Sequence, residues 1–138
     1  MARRVPLRKT MLDASAAANS SALNVSDYRN CILSIAGSAG ANLKVFIKGA
    51  LGQGEVGQTA PAFDVLSGAR STTNDWDYVE IVDLEDGAAI DGDVGVDLNG
   101  NIIRLIEVNI NSLDWLAVEV TQVTAGVATV RAVCTTNQ

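Results

Sequence analysis

The 138-residue chain has no histidine, only two cysteines and two prolines, and six aromatic side chains. Each shortage removes chemistry. Imidazole is the one side chain whose ordinary pKa lets it take and return a proton near neutrality, so Ser-His-Asp and Cys-His hydrolases and most zinc sites are excluded. Lysine stops at Lys48, so the many serines meet no obvious base and no nucleophile–base pair stands out. Cys31 and Cys134 lie too far apart for a CxxC redox or zinc pattern. They read as two small buried residues or, because Cys134 precedes a C-terminal tail that could reach a neighbour, as an inter-subunit disulfide formed outside the reducing cytosol. Long apolar runs are missing too. Pro6, Arg8, Lys9 and Asp13 break any stretch following the basic start Met1-Ala2-Arg3-Arg4, and nothing approaches the ~18 apolar residues of a spanning helix. The expectation is a soluble chain made in the cytosol, with no membrane partner.

What is present is a hydrophobic fraction of 48% against 19% charged residues, enough to build one folded domain. The net charge of −6 is unevenly spread. Arg3, Arg4, Arg8 and Lys9 make the first 12 residues purely basic, leaving six bases against sixteen acids in the other 126. Four cations without an aromatic among them are a weak nucleic-acid footprint, and the acidic body repels phosphate. No specific nucleic acid is expected. The four cations are the candidate partner-binding residues, able to clasp the acidic body of a neighbouring copy.

Period-two alternation dominates the rest and marks half-buried strands. It runs through residues 24–35, 43–47, 76–83, 102–108, 113–123 and 127–134, with Leu43, Val45 and Ile47 facing in and Lys44 and Lys48 out. Residues 5–12 read as a first strand or an extended arm. The Ala-rich residues 13–22 lack a large apolar stripe and read as a linker or one short turn. Turn signals separate the runs: Asp86-Gly87, Asp91-Gly92, Asn99-Gly100 and Thr124-Ala125-Gly126, the last expected to close a tight hairpin. The fold class is therefore all-β: an antiparallel β-sandwich of about eight strands, with a jelly roll as the expected topology. An extended basic arm and linker over residues 1–22 would precede the sandwich domain at 23–138.

Three motifs invite sharper readings. Gly52-Gln53-Gly54-Glu55-Val56-Gly57 matches GxGxxG, but no helix follows to hold a pyrophosphate, and Glu55 would face the phosphates. It reads as a Gly-rich surface loop touching neighbours, within a long excursion over residues 51–75, and no cofactor is expected. Residues 75–97 hold nine of the sixteen acids, yet Gly95 stands where Asp91-Gly92-Asp93 would need a third calcium ligand. A hydrated surface loop, without a metal, is expected. Paired carboxylates could serve a glycosidase, but no cleft or aromatic platform accompanies them. Trp76 and Trp115 fall at strand positions, where packing is the expected role.

Two stretches together carry a family resemblance. One is Trp76-Asp77-Tyr78-Val79, Asp83-Leu84-Glu85-Asp86-Gly87, Ile90-Asp91-Gly92-Asp93 and Gly95. The other is Glu107-Val108-Asn109, Leu113, Trp115, Thr124-Ala125-Gly126-Val127 and Thr129-Val130. With the Ala/Ser-rich opening at residues 12–21, these resemble small β-sandwich structural proteins of tailed bacteriophage virions. The resemblance implies a non-enzymatic virion component assembled in the bacterial cytoplasm. Its partners would be copies of itself, as a trimer or larger homo-oligomer, and other virion proteins such as the major capsid protein. A minor capsid or decoration protein stabilising the head is the first expectation. A neck, collar or tail component is the second, a host-glycan-binding sandwich the third, and a hydrolase using the 75–97 acids the last.

Overall fold

The computed structural model describes residues 5–38, 42–53, 58–61, 76–100, 102–111, 113–123 and 126–136. Among them every regular element is a strand. In chain order these are β1 (Leu7–Ala14), β2 (Ala18–Asn19), β3 (Leu23–Asn24), β4 (Asn30–Gly37), β5 (Asn42–Ala50) and β6 (Asp77–Tyr78). They continue as β7 (Ile81–Asp83), β8 (Ala89–Ile90), β9 (Val96–Asn99), β10 (Ile103–Asn109), β11 (Trp115–Val123) and β12 (Ala128–Thr135). The strands form two antiparallel sheets. The first runs β1-β12-β4-β10-β7-β8; the second runs β2-β11-β5-β6, with β3 also on β11 and β9 also on β5.

Alternation explains how the sheets meet. Leu33 and Ile35 of β4, Ile106 and Val108 of β10, and Val130 and Ala132 of β12 point to one side of the first sheet. Val45 and Ile47 of β5 and Leu116, Val118 and Val120 of β11 answer from the second, and all belong to one buried cluster. That cluster holds aliphatic and sulfur side chains but no fully buried aromatic. Branched aliphatics suit this gap because they keep few rotamers on a pleated surface and interlock closely.

Several expectations change. Residues 7–14 are not an arm extended away from a body that begins at residue 23. They form the β1 edge strand, paired with β12 from Leu7↔Cys134 to Ala14↔Ala128 through a bulge that buries Met11. The 13–22 linker is likewise pinned to the second sheet. The Ser20 backbone N–H donates to the Val118 carbonyl at 2.8 Å, and the Val118 N–H donates to Ser20 Oγ at 2.9 Å. β11 and β12 do not pair as the expected C-terminal hairpin, because they belong to different sheets; Thr124 and Ala125 lie outside the described residues.

The continuous strand expected at 76–83 breaks into β6 in one sheet and β7 in the other. The buried parity therefore switches from Trp76 and Tyr78 to Ile81 and Asp83. The 75–97 segment is not simply a hydrated loop either. It also contributes β8 and β9, and Val96 and Leu98 enter the core. Gly95 makes that entry possible: its φ is +76°, and a β-carbon there would stand 2.9 Å from the Phe46 ring and the Val45 carbonyl.

Candidate functional site

The outer faces of the two sheets differ sharply, and the difference locates the candidate site. On the outer side of the second sheet, Phe46, Lys48 and Ala50 of β5 lie beside Ala117 and Glu119 of β11, and all five are buried. Trp76 completes a small second cluster with Ala50 and Ala117, and its indole N–H donates to the Pro61 carbonyl at 3.1 Å. Tyr78 packs on Phe46 with ring centroids 5.4 Å apart. The Lys48 ammonium lies 4.8 Å from the centre of the Tyr78 ring and 3.7 Å from Glu119 Oε1. Lys48, placed outward by its alternation, does leave the central core, but it enters this second buried layer with only 2% of its surface exposed. Sequence reasoning missed the Lys48–Glu119 pair; the signal available was two charges at equivalent outward positions of neighbouring long strands. The tryptophans pack as expected, though both do so in the small second cluster outside the main core.

The outer side of the first sheet is bare. Ile103 and Leu105 of β10 are 66% and 49% exposed, and Ile32 of β4 is 40% exposed. Register places Val133 beside Ile32, and Leu84 donates its backbone N–H to the Leu105 carbonyl, so these apolar groups form a stripe across β12, β4, β10 and the end of β7. Grooves follow it: one is lined by Leu84, Glu85, Ile103 and Leu105 among others, and another by Ser34, Ala36, Ile103, Thr129 and Arg131. Each side chain lies on this face because it alternates with a core residue, as Leu105 does with Ile106 and Ile32 with Leu33.

Charge is sorted across the same sheet. At the β1 edge, Arg8 lies opposite Val133 and Lys9 opposite Ala132, while Arg131 lies one strand further in opposite Thr10. Arg8, Lys9, Thr10 and Arg131 line one groove together, and all three cations are exposed. Arg3 and Arg4, the other two expected partner-binding cations, lie outside the described residues. At the opposite edge the β7–β8 turn presents Glu85 and Asp86 and the following turn presents Asp91 and Asp93, while Glu107 of β10 lies inside the stripe between Ile32 and Val82, and Asp13 of β1, which accepts from Thr129 Oγ1, lies at the cationic edge. Asp83 and Arg104 are paired with each other. Turn geometry holds the acids outward: Asp83 Oδ1 accepts from the Glu85 N–H at 3.0 Å, Asp86 Oδ1 accepts from the Ala88 N–H at 2.9 Å, and Gly87 takes φ +72°.

The two cysteines of the expected inter-subunit disulfide come together within one chain. Cys31 and Cys134 are both buried, lie directly opposite each other on β4 and β12, and their sulfurs are 2.9 Å apart within one chain. Each thiol therefore has the other as its neighbour within the same chain. The hydrogen bond shared with Cys134, in which Cys31 holds the proton, and then burial push the Cys31 thiol well above its ordinary value, while the same bond lowers that of Cys134.

The ends of the Gly-rich excursion are tied down. Gln53 and Thr59 form a bridge, and Gly52 donates its N–H to Asp114 Oδ2 at 2.7 Å. Residues 54–57 and 62–75 lie outside the described residues. Among the described residues, no three His, Cys, Asp or Glu side chains gather as metal ligands, and no helix is long and apolar enough to cross a membrane.

No family model matches the chain, and no curated protein matches it. Among solved structures, the crystal structure of the SPBc2 prophage-derived protein YomS is similar, with a TM-score of 0.64 at 14% sequence identity. The match covers 98% of this chain and 99% of that one, so the two chains share one fold from end to end.

Proposed function

We propose that this chain is a non-enzymatic structural subunit of a tailed-phage particle, and that it works by binding copies of itself and other particle proteins. The observation that carries this reading is the polarised first sheet: Arg8, Lys9 and Arg131 outnumber Asp13 at one edge, an apolar stripe broken by Glu107 crosses the middle, and the turn carboxylates gather at the other edge. A stripe of that kind is costly on a free monomer and marks a contact surface. Opposite charges at its two ends favour head-to-tail association, in which one copy's β1 edge meets the acidic turns of the next; such heterologous contacts close into rings when the rotation allows. The prophage origin of the structurally similar protein supports placing the chain in a phage.

The strand order adds support. β1-β12-β4-β10 opposite β2-β11-β5, with β9 also on β5, supports reading the sandwich as a jelly roll, an architecture widely used in capsid proteins. Within the particle we assign the chain to the outer surface of the head, as a decoration or minor capsid protein contacting the major capsid protein. A chain with net charge −6 is repelled by packaged DNA and favours the outside.

Mass spectrometry of particles produced from the genome that encodes the chain tests this assignment. The expected result is this protein at tens of copies or more per purified particle. Recovery with necks or tails would move it within the particle, and its absence from particles overturns the reading.

A further inference from the structure

We propose that Cys31 and Cys134 are an oxidisable pair that closes into an intrachain disulfide, fastening the last strand of the chain to β4. Directly opposite residues of antiparallel strands have α-carbons about 4.5–5.5 Å apart, inside the ~4.4–6.8 Å range that a disulfide spans. The register Cys134↔Cys31 and the 2.9 Å between the sulfurs therefore permit closure with rotation of the side chains alone. Every other pairing along β12 and β4 is indifferent to redox conditions; this one is the exception, and it falls at the end of both strands.

That position matters for access. Cys134 is the penultimate residue of β12 and Cys31 the second of β4, beside Leu7 at the start of β1. Three strand ends thus meet at one corner of the core, where fraying exposes the thiols while the middle of the cluster stays packed. The oxidant is a disulfide, of which oxidised glutathione is the simplest. The Cys134 thiolate attacks one glutathione sulfur, forming a mixed disulfide and releasing one glutathione thiolate. The Cys31 thiolate then attacks the Cys134 sulfur, forming the Cys31–Cys134 bond and releasing the second glutathione. The two thiol protons end on the two released glutathiones, so two electrons pass from the protein to the oxidant.

The bond links residues 103 positions apart. Long closed loops restrict the unfolded chain most, so the oxidised form should unfold at a temperature higher by roughly 10 °C. The inference depends on the fold alone and holds whatever particle the chain belongs to.

The test is incubation of the purified full chain with oxidised glutathione. The expected product is a monomer lighter by two hydrogens, with no thiol left to alkylate in denaturant, a proteolytic peptide pair linking Cys31 and Cys134, and the raised melting temperature. Persisting glutathione adducts, a disulfide-linked dimer, or two free thiols after prolonged oxidation would each overturn it. Cys31→Ser and Cys134→Ser should instead retain one glutathione each. If either variant fails to fold, the wild-type mass, peptide map and melting shift still decide.

Discussion

The two sheets of this protein share one core but treat their outer faces in opposite ways. On the second sheet a lysine and a glutamate are buried beneath an aromatic layer. On the first, isoleucines and leucines stand in solvent. Hydropathy alone would reverse these assignments. The difference teaches that a β-strand's outward residues acquire their environment from whatever is laid over the sheet, because alternation fixes only which side of the strand each one occupies. The covered face is the settled one, with the Lys48 ammonium set against Glu119 and the Tyr78 ring. The bare face keeps its apolar groups available for another molecule.

The comparison can be broken most forcefully at Glu119. Removing one member of a buried ion pair leaves an uncompensated charge, so Glu119→Ala should lower stability by about 3–5 kcal/mol, read as a lower urea midpoint with an unchanged slope. Replacing both members with apolar residues, Lys48→Met with Glu119→Leu, should restore most of the loss. A single variant as stable as the wild type would mean that the face is not truly closed.

Next in size is a contrast between two glycines. Gly95→Ala meets both a left-handed backbone and the Phe46 ring of the covered face, and should cost about 2–4 kcal/mol. Gly87→Ala, in the turn at the edge of the bare sheet, has the same left-handed backbone but open space around it, and should cost about 1 kcal/mol. Equal losses measured by thermal unfolding would show that packing against Phe46 contributes nothing.

The bare face should respond in association and leave stability nearly alone. Reversing Arg8 and Arg131 to glutamate should weaken self-association about tenfold or more, measured by sedimentation over a concentration series, while unfolding shifts by no more than about 0.5 kcal/mol. Added salt should weaken the wild type and strengthen the variant's residual association, since it screens attraction in the first and repulsion in the second. The smallest stability effect is expected at Leu105→Ser, within about 0.5 kcal/mol, accompanied by weaker association. A large loss of stability there would place Leu105 in the core and remove it from the stripe.

Much of the strand content was legible. The alternation around Leu43 to Ile47 and Leu116 to Val120 marked β5 and β11 with the correct inward faces, since period two is written into neighbouring residues. The break after Tyr78 was not legible: Trp76 to Asp83 reads as one alternating run, and only the transfer of the chain between sheets reverses its parity. The hairpin expected at Thr124-Ala125-Gly126 failed for a related reason. A short turn between two alternating strands looks the same whether it joins sheet neighbours or crosses the core. The basic residues of the candidate site were visible as a cluster, but their place on an edge strand, facing carboxylates at the far side of one sheet, depends on β12 lying between β1 and β4.

By itself, the sequence determined the all-β character, the inward faces of the long strands and the absence of imidazole chemistry, because those properties reside in local periodicity and composition. The tertiary structure alone decided which strands became neighbours, and hence that Cys31 meets Cys134, that Lys48 meets Glu119, and that opposite charges end at opposite edges of one sheet. Pairings between residues far apart in the chain arise from the long-range closure of the two sheets around a single aliphatic core, and no short window of residues contains that closure.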